Sequence, residues 1–403
     1  MADWGGFRPR RIAFAFAIGL AVGLVGIAGG SSSLAGLSTG SGPALGTRVD
    51  IGDSQHAPVI AQAMANTHVA GVGIYLPWSE IEPNPPGVDG THTYRWVDSP
   101  FDNTVKGLVD AGVKIISVRV SIPPHWAVKD RVCKVTACPP TPAHYGDFRD
   151  FVEAAIERYG PGGPSGADVE HWSLWNEPNK AFEWGGKEAG AFKQYSNLLV
   201  QFHAAAVAAS IQVSVDAGEI AAGGPNGQNS PRGWAVGFQR YSKQKGRDDD
   251  YDVVTIHAYS QRASDVAAKL RAYQHAFPGH PVAVTEFGWS VGSGNGGGGD
   301  WKCVPNPKDQ AKRFRQAVQK VRSEPQLAGV PWLLWFAGID DDTTDSPHPK
   351  PPKCEANSWY AKQARKHVDT FGLFKRERNG SASALYPRPI VDDFGAAAQQ
   401  SSG

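Results

Sequence analysis

Two glutamates close apolar, strand-like runs. Glu177 stands in LWNEPN (Leu174–Asn179) and Glu286 in VAVTEFGWSVG (Val282–Gly292). Two carboxyls converging on one acetal are what glycosidic cleavage requires. One must be protonated to release the leaving oxygen, and the other ionised to attack the anomeric carbon or activate water. An apolar strand ahead of each delivers it into a partly dry site, where the charge on Glu286 and aromatic walls should keep Glu177 protonated. A lone buried Glu braces a fold through an ion pair; these two lie beside aromatics and, for Glu177, beside Asn176. The same stretch offers a rival nucleophile, Ser290, in a G-x-S-x-G pattern. A nucleophile elbow needs a strand, a sharp turn and then a helix. VGSGNGGGGDWKC follows Ser290 and is too glycine-rich to start a helix there. Asp345 with His348 or His367 has no motif support as the rest of a triad, so the chemistry falls to Glu286, with Gly288 and Gly292 as loop residues.

Positioning these groups requires a scaffold, and the chain alternates apolar strand-like runs with amphipathic helical ones. TRVDI starts near Thr47, VAGVGIY spans Val69–Tyr75, VKIISVRV Val113–Val120 and VEHWSLW Val169–Trp175. After a diffuse stretch at Ile211–Ala222 come YDVVTIH (Tyr251–His257), PVAVTEF (Pro281–Phe287) and VPWLLWF (Val330–Phe336). Helices are expected at Phe148–Tyr159, Ala189–Ala208, Ala263–Ala276 and Pro307–Arg322. Nearly continuous apolar strands signal parallel pairing with both faces covered. About eight such repeats fit a single closed (β/α)8 TIM barrel, with elaborated loops after strands 7 and 8. An open doubly wound sheet ranks second, and neither G-x-G-x-x-G nor a P-loop supports a nucleotide-binding version. In the barrel, active groups occupy the C-terminal strand ends. There the sequence places PWSEIEP, SIPPHWA, WNEPN, HAY, TEFGWS and WFAGIDDD.

LWNEPN and VTEFGWS, in that order, resemble the fourth- and seventh-strand signatures of the large clan A of retaining (β/α)8 glycoside hydrolases, most nearly family 39 and then family 5. WSEIEPNPPG with YRWVD, and PPHWA, resemble that group's second- and third-strand loops. The resemblance covers about Thr47 to Phe394. It implies Glu177 as general acid/base, Glu286 as nucleophile and Asn176 as the amide on the sugar 2-hydroxyl. It further implies His257 and Tyr259 as a sixth-strand pair whose Tyr orients the nucleophile, and Trp335 as the platform under the sugar. Retention of configuration then follows, with carboxyls about 5 Å apart and no cofactor. One departure stands out: the clan's second-strand Arg is missing from VGIYLPW, and Arg119 on strand three is its candidate replacement or an ordinary ion-paired residue. Trp78, Trp126 and Trp289 follow strand ends and are candidate sugar-subsite walls; Trp172 and Trp332, mid-strand, are expected to pack. His125 and Arg119 are candidates for sugar hydroxyls or for structural roles, and Glu80 and Glu82 for the barrel rim.

Composition bounds the partners. With 40 basic and 39 acidic residues the net charge is +1, which gives no basic excess for nucleic acid. Thirteen Trp, 11 Tyr and 17 Phe suit both cores and sugar faces. A carbohydrate substrate, a poly- or oligosaccharide, is the expected partner. Residues 1–30 carry a basic start (Arg8, Arg10, Arg11) and the apolar run Ile12–Ala28, the chemistry of an export signal. The paired Arg10–Arg11 hints at a twin-arginine route, and an uncleaved anchor is the alternative reading, making any membrane tether this segment. A Gly/Ser-rich linker (31–43), a catalytic domain (44–398) and a short tail (399–403) follow. The four Cys fit an oxidising compartment, with Cys133 and Cys138 as a small clip and Cys303 left to Cys354, one of three connectivities. The second bridge would tie two loops over the site. Asp340, Asp341, Asp342 and Asp345 read as a solvated acidic loop before a calcium site, as no EF-hand spacing is present. A different class also fits the barrel: a catalytically silent polysaccharide-binding protein of an envelope or exopolysaccharide pathway.

Overall fold

The computed structural model describes residues 42–49, 57–67, 69–129, 137–185, 191–222, 231–291, 303–304, 306–338, 341–342, 368–369, 373–379 and 382–399. The expected export segment, the linker up to residue 41, Cys133, Cys354, Asp340 and Asp345 lie outside the described residues.

Eight parallel strands close into a barrel. They are β1 (Ala44–Arg48), β2 (Val72–Pro77), β3 (Ile115–Ser121), β4 (His171–Leu174), β5 (Ser214–Ala221), β6 (Val253–His257), β7 (Val282–Phe287) and β8 (Trp332–Trp335). Each pairs with its sequence neighbour, and β8 closes on β1 through Ala44↔Trp332 to Thr47↔Trp335. A helix follows each strand: α1 (Ala57–Ala65), α2 (Pro100–Asp110), α3 (Tyr145–Tyr159), α4 (Ala191–Ala208), α5 (Val236–Gln244), α6 (Ser264–Ala276), α7 (Pro307–Arg322) and α8 (Ile390–Gln399). This is the (β/α)8 barrel that the strand–helix alternation implies. No helix among the described residues is long and apolar enough to cross a membrane.

Local chemistry sets the element boundaries. α2 begins where Ser99 accepts from the Asp102 N–H at 3.0 Å, with Pro100 in the first turn. α7 begins on Asn306, which accepts from Asp309 N–H at 3.0 Å, and ends in Lys320 and Arg322, whose charge suits a helix C-terminus. Its buried side chains Gln310, Ala311, Phe314, Ala317, Val318 and Val321 recur every three or four residues and form the face against the barrel.

Inside the barrel, Ala44, Ile116, Val253, Ala283, Trp332 and Leu334 form a cluster separate from the large core between strands and helices. On β8 the two-residue strand period is visible in that division. Trp332 and Leu334 point inward, while Leu333 and Trp335 belong to the outer core. A Cβ on Gly73 would come 2.7 Å from Leu334 Cδ1 and 2.8 Å from Arg48 Nη1, so only glycine leaves room there for the Arg48 guanidinium.

β5 is the strand whose pattern is diffuse in the sequence. Asp216, Gly218 and Glu219 break its apolar run, yet all eight residues but Ser214 are buried. The ladder to β6 shifts register between Gly218 and Ile220. That bulge, with Gly218 at φ 123 and Glu219 at φ 46, turns the Glu219 side chain into the site described below. β7 is similarly out of step with β6, shifting where His257 pairs with Glu286.

Candidate active site

The strand ends deliver three glutamates to one histidine. His257, ending β6, has Nδ1 at 3.0 Å from Glu177 Oε1 and 3.2 Å from Glu286 Oε2, and Nε2 at 3.2 Å from Glu219 Oε2. The nearest oxygens of Glu177 and Glu286 are therefore no farther apart than 3.0 and 3.2 Å laid end to end. Glu286 is held from several sides. Tyr259 Oη donates to its Oε2 at 3.0 Å, Tyr75 Oη to its Oε1 at 3.2 Å, and Arg119 Nη1 reaches the same Oε1 at 3.3 Å. Arg119 Nη1 also donates to Asn176 Oδ1 and to Glu219 Oε2, each at 2.6 Å. Arg48, wholly buried, pairs with Glu219 from the other side. Both guanidiniums lie over the Tyr75 ring, at 4.8 Å for Arg48 and 3.6 Å for Arg119. The Glu177 backbone N–H donates to the Glu219 carbonyl at 3.0 Å, tying the end of β4 to β5.

Charge is balanced tightly in this space. Burial alone would raise the Glu219 carboxyl, but Arg119 and Arg48 outweigh it and hold the group well below the ordinary carboxylate range. Burial likewise works against a charged His257, yet the Glu286 charge and the contacts to Glu177 and Glu219 push it up to about 9. Glu183, buried in the turn after β4, is pushed up to about 7 by burial, against a hydrogen bond from Asn176 and the attraction of Arg119; the Glu177 and Glu286 charges add to the rise. Ligand-type atoms of Glu219, His257 and Glu286 lie within 4.8 Å of one another. Two guanidiniums already span Glu219, so their charge opposes a cation there, and the trio functions as a hydrogen-bond network.

Residues 148–346 match the family model of the glycosyl hydrolase catalytic core, a stretch holding both Glu177 and Glu286. The fold agrees with solved glycosidases. A family 39 glycoside hydrolase from Bacteroides cellulosilyticus WH2 superimposes with TM-score 0.60 at 16% identity, over 89% of this chain and 64% of that one. A family 39 enzyme from Xanthomonas axonopodis pv. citri gives 0.58 at 16% identity, over 89% and 67%. A rice β-glucosidase in covalent complex with glucose gives 0.59 at 12% identity, over 90% and 99%. The chain thus spans just under two thirds of the Bacteroides enzyme's length. No curated protein matches it in sequence.

The structure brings together Glu177, Glu286, Asn176, His257, Tyr259 and Arg119. It puts the expected aromatic walls elsewhere. Trp335 is fully buried among Phe287, Phe314 and Trp289, because the strand period points it outward against α7. The next residue, Phe336, is half-buried and meets the Tyr259 ring edge-on at 6.1 Å, so the eighth-strand aromatic on the site side is Phe336. Trp289 is sealed too, its Nε1 donating to the Ser260 carbonyl at 2.8 Å. Trp78 is sealed between Trp126, Phe148 and Phe151 and donates to Glu82 at 2.8 Å. Trp126 is half-buried at that same rim, and His125 is exposed. Ser290 itself lies in a short strand, Ser290–Val291, paired with Cys303–Val304. Cys138 is disulfide-bonded. Asp341–Asp342 pair with Val368–Asp369.

Sequence reasoning missed Arg48, Tyr75, Glu219 and Glu183. Each was legible only as a polar interruption: Arg48 in TRVDI, Tyr75 ending VGIY, Glu219 after Gly218, and Glu183 in NKAFEW. A buried Gly-Glu inside a strand is a bulge signal, and that was the usable clue.

Proposed function

We propose that this chain is an exported retaining β-glycosidase that cleaves O-glycosidic bonds of a poly- or oligosaccharide by double displacement. The single observation that carries the reading is the meeting of Glu177 and Glu286 on one imidazole nitrogen, at 3.0 and 3.2 Å. Those distances keep the nearest carboxyl oxygens below the roughly 6.5–9.5 Å that an inverting pair needs to admit water, and suit the roughly 5 Å of a retaining one. Glu286 attacks the anomeric carbon, aimed by Tyr75, Tyr259 and Arg119. Glu177 protonates the departing oxygen, then takes a proton from the water that hydrolyses the glycosyl-enzyme. The Asn176 amide, its oxygen taken by Arg119 and one N–H given to Glu183, offers its second N–H to the 2-hydroxyl. Phe336 lies beside Tyr259 as an apolar face for a sugar ring. Arg119 supplies the nucleophile's guanidinium from β3 in place of one from β2.

The basic start and apolar run of residues 1–30 support export. Sequencing the N-terminus of the protein recovered outside the cytoplasm tests that point. The chemistry is tested by digesting a panel of plant and bacterial polysaccharides, with 4-nitrophenyl β-xyloside and β-glucoside alongside. A 2-deoxy-2-fluoro glycosyl fluoride is then used for trapping. Labelling at Glu286, found by mass spectrometry of the peptides, is the expected result. Hydrolysis by Glu286→Ala at the wild-type rate sinks the reading, and a protein that binds the polysaccharide without cleaving it is the silent barrel instead.

A further inference from the structure

We propose that Glu219 is a positioning residue for the two catalytic carboxylates: it grips Nε2 of His257 and thereby commits the ring's other nitrogen to the gap between Glu177 and Glu286. The inference rests on the glycosidase reading of that pair and adds a residue that touches neither substrate nor nucleophile.

The geometry is specific. The Glu219 carboxylate accepts from Arg48, from Arg119 at 2.6 Å and faces His257 Nε2 at 3.2 Å. Its backbone is pinned as well, the N–H to the Thr255 hydroxyl at 2.8 Å and the carbonyl to the Glu177 N–H at 3.0 Å. An ionised carboxylate has lone pairs only, so Nε2 must carry the hydrogen of that contact. Fixing one ring nitrogen as a donor fixes the ring's orientation and leaves Nδ1 to the other two acids. The same logic governs histidines held by a carboxylate behind them in metal sites and triads, here turned toward a carboxylate pair. The backbone pays for the arrangement with a non-glycine residue at φ 46 inside a strand.

Among the described residues, three carboxylates and one tyrosine face His257. Glu177 and Glu286 lie at Nδ1 and Glu219 at Nε2; Tyr259 meets the ring edge-on; Arg119 and Arg48 stand behind Glu219. Removing the Glu219 charge takes one anion from the imidazolium, so the ring gives up its proton at lower pH.

The test uses the full chain labelled with 15N-histidine. The His257 signals are assigned by their loss in His257→Asn, and long-range 15N–1H spectra report which ring nitrogens are protonated across a pH series. The wild type is expected to show Nε2 protonated throughout and a charged ring at neutral pH. Glu219→Gln, confirmed folded by circular dichroism, is expected to titrate His257 lower by about one pH unit or more, and Glu219→Asp to stay near the wild type. A folded Glu219→Gln in which His257 titrates as before overturns the proposal, because a merely structural carboxylate lowers the melting temperature and leaves that curve alone. Should Glu219→Gln not fold with Arg48 unpaired, Arg48→Met with Glu219→Leu removes the buried pair together and carries the same readout. The glycosidase reading fails separately, through hydrolysis by Glu286→Ala, and that result does not move the His257 titration.

Discussion

Two glutamate–histidine pairs sit at the C-terminal end of the barrel, and they behave differently. In the loop after β2, Glu82 accepts from Trp78 Nε1 at 2.8 Å and contacts His92 Nδ1 at 2.6 Å. Trp126 covers its backbone carbonyl, and Phe148 and Phe151 close over Trp78. The Glu82 side chain is 1% exposed, with each oxygen matched by one donor. At the ends of β4 and β7, Glu177 and Glu286 keep 17% and 9% exposure and compete for a single imidazole nitrogen. The first pair is complete in itself and joins the loop to α3. The second keeps part of its carboxylate surface on the side facing solvent. Burial, aromatic neighbours and a histidine are common to both, so none of these marks chemistry. What sets the second apart is three carboxylates crowded around one imidazole.

The comparison breaks most sharply on rate. Glu286→Ala is expected to cost roughly 10⁴-fold or more in kcat, and Glu177→Ala about 10²–10⁴-fold with poor leaving groups. Glu82→Gln is expected to leave kcat near the wild type and to lower the melting temperature, since it strips one acceptor from a sealed pair. Steady-state kinetics beside thermal melts on the three proteins decide it, and a rate loss in Glu82→Gln comparable to that in Glu177→Ala would erase the distinction. Next in size is Arg48→Met. It leaves the Glu219 charge buried with one guanidinium fewer, at a cost of about 3–5 kcal/mol in urea unfolding.

The barrel was legible because parallel strands covered on both faces are largely apolar, and most of the eight read that way; the first, read from Thr47, begins at Ala44 instead. β5 was the exception, for a physical reason. Its Asp216 and Glu219 are buried only because His171, Arg48 and Arg119 arrive from other strands, and no single sequence shows those arrivals. Glu177 and Glu286 were legible as candidates because each closes an apolar strand. Trp335, expected as the platform, is buried in the outer core, and the aromatic beside Tyr259 is its neighbour Phe336. Strand period decides which of two adjacent aromatics points inward, and the phase of β8 is set by its pairing with β1. The pair gives a test of its own. Trp335→Ala empties the outer core and is expected to cost about 3–5 kcal/mol of stability with little change in KM. Phe336→Ala is expected to raise KM about tenfold, the size of one lost ring contact, with little change in stability. The reverse pattern would return the platform to Trp335.

A last effect, spread over several pH units, separates the site's charges from one another. His257 is held up to about 9 in the folded protein, above the ordinary value near 6.5 that it has when unfolded. Stability from that shift is present in full below pH 6.5 and is lost as pH rises through about 9, on the order of 3 kcal/mol in total. Glu219 is shifted the other way, held low by Arg119 and Arg48, so its contribution is present above the ordinary carboxylate range and is lost as the solution is acidified. The two windows do not overlap. Urea unfolding at pH 6, 7.5 and 9.5 is expected to show the alkaline decline in the wild type and a flatter line in His257→Gln. A decline that survived in His257→Gln would mean that the imidazolium between the two carboxylates is not where the folded protein stores its charge balance.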